Sequence, residues 1–382
     1  MFSSRLAWDL HPNPLSILLA GKRRDGTRVL DLTESNPTRA ALSYPSREIL
    51  NALAGLRSLL YDPAPAGLWE ARELIAASRG VAVDRVMLTA STSEAYAWLF
   101  KLLANPGDQI LAPRPSYPLF EFLAALESVE MRHYPLVYHE GWFIDFDELK
   151  RALTVRTRAI VVVNPNNPTG SYLKCEELRQ LLELCGERGL AIISDEVFAD
   201  YALTEDRQRV TTLDHSADVL TFRLSGLSKV VGLPQMKLGW ILIGGPAALR
   251  EQAAERLELI ADTYLSVGTP VQHALPALLA SKDGFQRQVM ERLQTNLKFL
   301  RAAVAGSAIQ VLQAEGGWCV ILRVPRIRTE EEWVTGLLER ENVLVQPGYF
   351  YDFDSEAFLA LSLLTPQEIF AEGVRGIQAF AR

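Results

Sequence analysis

One lysine with small and apolar neighbours is the residue in this sequence best suited to nucleophilic chemistry. Lys229 lies in the run Ser225-Gly-Leu-Ser-Lys-Val-Val-Gly-Leu-Pro234, with a glycine on each side. Because apolar surroundings solvate an ammonium group poorly, they lower the pKa of the lysine and make its amine available as a nucleophile. Most lysines are solvated surface residues, so this run needs support from the rest of the chain.

A second candidate is the hydroxyl run Ser91-Thr92-Ser93, between a predicted strand that ends near Thr89 and a predicted helix that contains Trp98. Hydroxyl groups and free backbone N–H groups at the start of a helix form a binding site for an anion. The same residues could simply cap the helix, with Thr92 or Ser93 satisfying its first turn. The two interpretations are compatible.

Several segments occur together in a fixed order. They are Ser91-Thr92-Ser93, Tyr117, Asn167-Pro168-Thr169-Gly170, Asp195-Glu196-Val197 and the Lys229 run. From about Asp31 to the C-terminus, this ordered set resembles the fold-type I aminotransferases of class I/II, which hold pyridoxal 5'-phosphate as a Schiff base on a lysine. The resemblance implies a transferase that moves an amino group between an amino acid or amine and a 2-oxo acid, in a homodimer with a shared active site.

In the resembling family, the catalytic residues correspond to Lys229, Asp195 and Tyr117. The resemblance implies that Asp195 pairs with the pyridine nitrogen of the cofactor, keeps it protonated and so makes the ring an electron sink. An aspartate after a buried strand can also cap a helix. Its position favours the functional role, because ligands of open α/β sheets lie at the carboxyl ends of strands.

The other cofactor-binding roles follow from the same resemblance. Asn167 corresponds to the residue that hydrogen-bonds the ring hydroxyl, although Asn-Pro-Thr-Gly is also a turn sequence. Tyr117 corresponds to the aromatic residue that stacks on the ring, and its alternative is a buried core tyrosine. Ser228, beside the lysine, is assigned to the cofactor site as well.

Two residues are expected to act in the neighbouring subunit. Tyr61 resembles the residue that reaches the partner's phosphate, with a spacing to Gly67 that is one residue longer than in many relatives. Ser266 is a possible second contribution to the partner's site.

Three positions depart from the family pattern around the cofactor. Eight residues after Lys229 the chain has Lys237 where the family usually has a phosphate-binding arginine; lysine keeps the charge but lacks the planar fork. Gly226 stands where a phosphate-binding serine is common. Phe198 stands where a tyrosine usually donates to the ring oxygen.

A fourth departure concerns the substrate and places the chain in an atypical subgroup. Ala360 occupies the position of the arginine that usually binds the substrate α-carboxylate, in the run Ala-Phe-Leu-Ala-Leu-Ser362. Candidate replacements are Arg39, which follows Glu-Ser-Asn36-Pro in the expected active-site cover, and Arg114 beside the stacking tyrosine; Asn36 is a further substrate-binding candidate. Taken alone, each of the two arginines is more typical of a surface residue.

Three functions are therefore open. The first is a transaminase with a relocated carboxylate anchor, and the second is a lyase, decarboxylase or oxidase that uses the same cofactor. The third is a cofactor-binding regulator of gene expression, but such relatives carry an additional DNA-binding domain for which this chain has no room. Walker-type loops, Gly-x-Gly-x-x-Gly and zinc-ligand spacing do not occur, so the sequence predicts neither a nucleotide enzyme nor a metal site.

Composition agrees with a soluble enzyme. The chain has 382 residues, 48% hydrophobic and 22% charged, and its 39 basic and 46 acidic residues give a net charge of −7. A mildly acidic chain without a basic block does not favour nucleic-acid binding. Its three cysteines, Cys175, Cys185 and Cys319, have no CxxC spacing and favour a reducing compartment.

The N-terminal residues 1–24 do not resemble a secretory signal. The apolar run at 15–20 is short and precedes its basic residues, so we expect an amphipathic arm helix there. No apolar run reaches transmembrane length, and we expect a cytoplasmic protein that does not bind membranes.

The elements that must position these residues follow an α/β pattern. Continuous apolar runs predict buried strands at 86–89, 109–112, 159–163, 191–194, 219–222 and 239–243. Helical spacing at 94–103 and in other intervening segments predicts a doubly wound, mostly parallel sheet. From about Gln272 we expect a long helix and strands at 318–322 and 343–345. The predicted domains are residues 1–45 (N-terminal arm and part of the small domain), 46–271 (large cofactor-binding domain) and 272–382 (small α+β domain).

Overall fold

The computed structural model describes residues 2–213 and 218–381. Its strands are β1 (Leu30–Asp31), β2 (Val86–Thr89), β3 (Gln109–Arg114), β4 (Glu130–Tyr138), β5 (Trp142–Ile144), β6 (Thr157–Val163), β7 (Ala191–Asp195), β8 (Thr221–Gly226), β9 (Gly239–Gly244), β10 (Gln310–Val311), β11 (Cys319–Arg323), β12 (Val343–Leu344), β13 (Gln346–Pro347) and β14 (Phe358–Ser362).

The helices alternate with these strands. They are α1 (Pro14–Arg24), α2 (Ser46–Leu53), α3 (Trp69–Arg79), α4 (Thr92–Leu103), α5 (Leu119–Leu126), α6 (Phe146–Ala152), α7 (Cys175–Arg188), α8 (Leu227–Val230), α9 (Ala247–Tyr264), α10 (Thr269–Ala280), α11 (Lys282–Val304), α12 (Glu330–Gly336) and α13 (Gln367–Phe380). Short 3₁₀ turns include Pro37–Arg39, Leu56–Leu59, Pro234–Met236 and Gly348–Tyr351.

A large sheet of eight strands, in the order β2-β9-β8-β7-β6-β3-β4-β5, carries the fold. The strands from β8 to β4 pair in parallel, while β9 and β5 run antiparallel to their neighbours. The central strands are buried on both faces by helices, which explains their unbroken apolar sequences. The predicted α/β class with a mostly parallel sheet is confirmed.

Some predicted elements differ in their limits. The strand predicted at 219–222 begins at Thr221 and continues to Gly226, because β8 pairs with β9 as far as Gly226 opposite Gly239. The long helix expected from Gln272 is two helices, α10 and α11, which meet at Ser281. The strands β4 and β5, at one end of the large sheet, were not predicted, since β4 carries charged and half-buried residues that give no continuous apolar run.

A small antiparallel sheet, β10-β11-β14-β13, packs against the C-terminal helices. The N-terminal segment joins this part of the chain, because β1 pairs in parallel with β12. The arm helix expected at 15–20 is α1. The domain boundaries after residues 45 and 271 stay predictions.

Among the helices in the described part of the chain, none combines the length and apolarity that crossing a bilayer requires.

Candidate active site

A cavity of about 410 Å³ lies between the large sheet and the small sheet. The sequence-predicted residues that line it are Ser91, Thr92, Ser93, Tyr117, Asn167, Asp195, Phe198, Gly226, Ser228, Lys229 and Lys237. The fold therefore brings residues from six separate segments to one site.

The hydroxyl run lies at the N-terminus of α4, as predicted. Ser91 is the N-cap residue, and its Oγ accepts a hydrogen bond of 3.2 Å from Glu94 N. Thr92 and Ser93 follow in the first turn, where backbone N–H groups have no partner within the helix. The capping role is thus present, and these N–H groups and hydroxyls can also bind an anion.

Close contact between β8 and β9 explains the glycine at position 226. A Cβ on Gly226 would lie 3.0 Å from Gly239 Cα, and a Cβ on Gly239 would lie 3.1 Å from Thr89 Oγ1. A side chain at 226 would therefore require the neighbouring backbone of β9 to shift by a few tenths of an ångström. Lys237, in a left-handed conformation (φ 50°) after the turn Pro234–Met236, supplies a positive charge to the same part of the cavity wall.

Asp195 is the last residue of β7, and both of its carboxylate oxygens accept hydrogen bonds. Val197 N donates to Oδ1 at 3.1 Å, and the Tyr96 hydroxyl donates to Oδ2 at 3.0 Å. Desolvation raises the pKa of Asp195 to about 6, and these two hydrogen bonds oppose the rise. The carboxylate is therefore fixed in place and costly to ionise unless it meets a cation.

Lys229 lies in the single turn of α8, directly after β8. Its Nζ lies 4.6 Å from the centre of the Trp318 ring and 5.2 Å from that of Phe198. Desolvation lowers the pKa of Lys229 to about 8. The amine is thus much closer to its neutral, nucleophilic form near physiological pH than an exposed lysine would be.

Asn167 and Tyr117 line the cavity from the loops after β6 and β3. Tyr117 is 45% exposed and makes an edge contact with Phe120. It is not a buried core tyrosine, which leaves its face available to a planar ligand.

Tyr61 and Ser266 do not line this cavity. They lie together in a second depression beside Trp98, where Tyr61 is 81% exposed. Ser266 Oγ donates a hydrogen bond of 2.7 Å to Glu94 Oε2, at the start of α4. Their role in a neighbouring subunit stays a prediction.

The three candidate substrate residues do not line the cavity either. Asn36 caps the turn Pro37–Arg39, with its Oδ1 accepting from Thr38 N at 3.0 Å. Arg39 is exposed. Arg114 is held by the loop after β13, because its Nε donates to Asp352 O at 2.7 Å and lies 3.3 Å from Asp354 Oδ1. Their substrate-binding role stays a prediction.

Ala360 is buried in β14, opposite Ile321 on one side and Gln346 on the other. Its cluster is apolar and includes Trp142 and Phe358. Sequence reasoning did not single out several residues around the site. They are Thr33, Ser35, Trp318, Cys319, Gln346, Phe350, Tyr351 and Ser362, which line the cavity, and Tyr96, which bonds Asp195.

The sheet order, the lysine after β8, the carboxylate at the end of β7 and the candidate anion site on α4 are the features of an aminotransferase-like enzyme. The solved alanine aminotransferase from Pyrococcus furiosus is similar over 100% of this chain and 99% of its own, with a TM-score of 0.88 and 25% identity. Aspartate aminotransferase from Thermotoga maritima shares the fold, with a TM-score of 0.85 and 22% identity over 99% of each chain.

The family model "Aminotransferase class I and II" matches residues 27–371. The glutamate-pyruvate aminotransferase AlaA of Escherichia coli K12 is 31% identical over 271 residues, which are 69% of this chain and 67% of AlaA. The alanine aminotransferase of Mycobacterium tuberculosis H37Rv is 30% identical over 282 residues, 70% of this chain and 63% of that protein. The chain belongs to the class I and II aminotransferase family and is an aminotransferase. Members of this family generally depend on pyridoxal phosphate.

Proposed function

We propose that this aminotransferase uses pyridoxal 5'-phosphate bound at Lys229 to move an amino group from an amino acid or amine to a carbonyl acceptor, for which a 2-oxo acid is the family's ordinary choice. The observation that carries the proposal is the meeting of Lys229, Asp195 and the N-terminus of α4 in one cavity. These three features match the aldehyde, the ring nitrogen and the phosphate of the cofactor.

The residues present fit this cofactor. The phosphate is an anion, for which α4 offers hydroxyl and N–H donors and Lys237 offers a positive charge. Asp195 offers a carboxylate with both oxygens already oriented, which suits a protonated ring nitrogen. Trp318, on the cavity wall, has a buried Nε1 with no hydrogen-bond partner among the described residues.

When bound, pyridoxal phosphate supplies a protonated ring that withdraws electrons from the bonds of the substrate's reacting carbon. The chain's own contribution is to hold and move protons around it. Asp195 stabilises the positive charge on the ring nitrogen. Lys229 has a pKa of about 8, so it can accept a proton from the reacting carbon as a general base and return it as a general acid.

The aromatic rings of Trp318 and Phe198 shape the surroundings of this lysine. They exclude water from Nζ, and their faces stabilise the ammonium form after it has taken up a proton. Tyr201 fixes the backbone at the same point, because its hydroxyl donates to Lys229 O. Lys229 therefore has a defined position for proton transfer.

A homodimer with shared active sites is part of the proposal. Large apolar residues are exposed around the second depression: Leu56 at 84%, Leu59 at 81%, Tyr61 at 81% and Trp69 at 56%. Apolar surface of this extent favours burial against another subunit.

Mixing a Tyr61→Ala protein with a Lys229→Ala protein tests whether the active sites are shared, since hybrid dimers regain one intact site only if Tyr61 serves the partner. Activity in the mixture no higher than in either variant would contradict a shared site.

We also place the enzyme in the cytoplasm, a proposal supported by its three free cysteines.

The amino-transfer function is tested with a donor labelled with heavy nitrogen. We expect the label to appear in the new amino product made from the carbonyl acceptor. Release of the label as free ammonia, with no labelled amino product, would overturn the transaminase assignment and favour a lyase.

A further inference from the structure

One side of the cavity, here called the small-sheet wall, carries no charged side chain. It consists of Thr33, Ser35, Cys319, Gln346, Phe350, Tyr351 and Ser362, and Trp318 connects it to Lys229. Among the described residues that line the cavity, the cations are Lys229 and Lys237, and both follow strands or turns of the large sheet. A carboxylate against the small-sheet wall would therefore meet no counter-charge.

Three of the four hydroxyl groups of this wall, those of Thr33, Ser362 and Tyr351, already donate their hydrogens elsewhere. Thr33 Oγ1 donates to Asp31 Oδ1 at 2.6 Å, and Ser362 Oγ donates to Glu34 O at 2.7 Å. The Tyr351 hydroxyl donates to Gln346 Oε1. Because a hydroxyl has one hydrogen and two lone pairs, these groups can offer a ligand only acceptor lone pairs.

The Tyr351–Gln346 pair also fixes the orientation of the Gln346 amide. With Oε1 bound to the tyrosine, the amide presents Nε2 as a donor. Gln346 pairs with Ala360 across β13 and β14, so their side chains lie on the same face of the small sheet. Ala360 contributes a methyl group there and no donor.

We propose that this wall selects substrates whose reacting carbon carries an uncharged group that can donate a hydrogen bond, such as a hydroxymethyl or carboxamide group, in place of a carboxylate. A hydroxyl or amide can donate to the lone pairs of Thr33 or Ser362 and accept from Gln346 Nε2. A carboxylate can accept from Gln346 Nε2, but it has no hydrogen to donate to the hydroxyl lone pairs and would lose its hydration without meeting a counter-charge on this wall. The inference rests on the proposed function and narrows its substrates. Since donor and acceptor occupy the same cavity in turn, the preference applies to both.

Four amino donors of nearly equal size test the proposal in the wild-type holoenzyme: L-alaninol, L-alaninamide, L-alanine and 2-aminopropane. The measurement is the single-turnover rate of conversion of bound pyridoxal phosphate to pyridoxamine phosphate, as a function of donor concentration. We expect kcat/KM for L-alaninol and L-alaninamide to exceed that for L-alanine by about a hundredfold or more, because an unpaired charge is excluded. The kcat/KM for 2-aminopropane should fall between that for L-alanine and those for L-alaninol and L-alaninamide. Its second methyl group carries neither a charge nor a hydrogen-bond donor.

The possible results distinguish a failure of the substrate preference from a failure of the proposed transaminase function. If L-alanine reacts as fast as the uncharged donors or faster, the substrate preference is wrong while transamination stands. If none of the four converts the cofactor, and L-glutamate also fails, the transaminase function fails and the inference fails with it.

Added charge provides an independent test. Gln346→Lys and Ala360→Arg each place a cation on the wall and should shift the preference towards L-alanine, with the change mainly in KM. Ala248→Arg adds the same charge at an exposed position in α9 and should leave the ratio of the donors unchanged. If Ala360→Arg does not fold, the substrate preference is still tested by Gln346→Lys and by the ratios of kcat/KM in the wild type. Unchanged ratios in a folded Gln346→Lys enzyme would overturn the proposal.

Discussion

Tyr96 and Asp195 are joined by a hydrogen bond of 3.0 Å from the tyrosine hydroxyl to the carboxylate Oδ2. Tyr96 belongs to α4, the helix whose N-terminus is the proposed anion site, and Asp195 ends β7. In the proposed cofactor site one helix thus contributes to both ends: its first turn offers donors to the anion, and its second turn positions the carboxylate. The distance between the two ends is fixed by a rigid element.

Tyr96→Phe should therefore change the ionisation of Asp195. The Tyr96 hydrogen bond lowers the pKa of this carboxyl against the larger effect of desolvation, so its removal should raise the pKa above about 6. A hydrogen bond to a charged group corresponds to roughly one pKa unit. Because the cofactor requires the carboxylate form, the pH dependence of pyridoxal phosphate affinity should move up by about one unit.

Tyr134→Phe is the matched control for this change. Tyr134 is also a buried tyrosine, but its hydroxyl donates to Val161 O and not to Asp195. If the pH dependence of pyridoxal phosphate affinity has the wild-type midpoint in both variants, or if the midpoint shifts in both, Tyr96 does not position Asp195.

The same carboxylate should limit the stability of the cofactor-free protein. The pKa of Asp195 is raised in the folded state. Its contribution to the free energy of unfolding is therefore most favourable below pH 4 and is lost as the pH rises through about 6. At pH 7 the buried charge costs on the order of 1–3 kcal/mol. Asp195→Asn should increase the apoprotein's free energy of unfolding at pH 7 by this amount, and the gain should vanish below pH 4.

Urea denaturation of both proteins at several pH values measures this difference. A variant that is less stable than the wild type at pH 7 would show that Asp195 is primarily a structural residue. Added pyridoxal phosphate should make the wild type the more stable of the two proteins, because it binds the wild type more tightly.

Lys229→Ala should leave a folded protein that binds the cofactor without a covalent link. Borohydride reduction followed by mass spectrometry should find an adduct on Lys229 in the wild type and none in the variant. An adduct of equal yield on Lys237 in the variant would mean that the wrong lysine has been assigned.

Lys237→Ala should weaken pyridoxal phosphate binding by about tenfold or more, because it removes a charge from the phosphate site. Lys237→Arg should retain or strengthen binding, since the planar fork suits phosphate. Pyridoxal, which lacks the phosphate, is the control ligand: its dissociation constant should be the same in all three proteins. If Lys237→Ala weakens pyridoxal equally, its effect is on the fold.

Much of the candidate site could be predicted because its residues belong to short contiguous motifs at the ends of strands and the starts of helices. Lys229, Asp195 and the Ser91 run stand where strands end or helices begin, and the apolar pattern of the central strands located those points. The strand β4 was not predicted, because a half-buried strand with Glu130 and Arg132 lacks that pattern.

The substrate side was harder for a physical reason. Gln346 and Ser362 come from the small sheet and Tyr351 from the turn after β13, and only tertiary packing brings them to Lys229. Tyr96 lies within the helix predicted at 94–103, and no separate role was predicted for it. Its spacing of five residues from Ser91 was the available signal, because it places the tyrosine one turn further along the same helix.

The most direct test of the central claim, transamination at Lys229, is a single half-reaction without acceptor. The holoenzyme is mixed with excess amino donor, and the cofactor and the organic product are then identified by mass spectrometry. We predict pyridoxamine phosphate and one carbonyl product in equal amounts with the wild type, and neither with Lys229→Ala. Recovery of unchanged pyridoxal phosphate together with carbon dioxide or free ammonia would contradict the account and assign the site to decarboxylation or elimination.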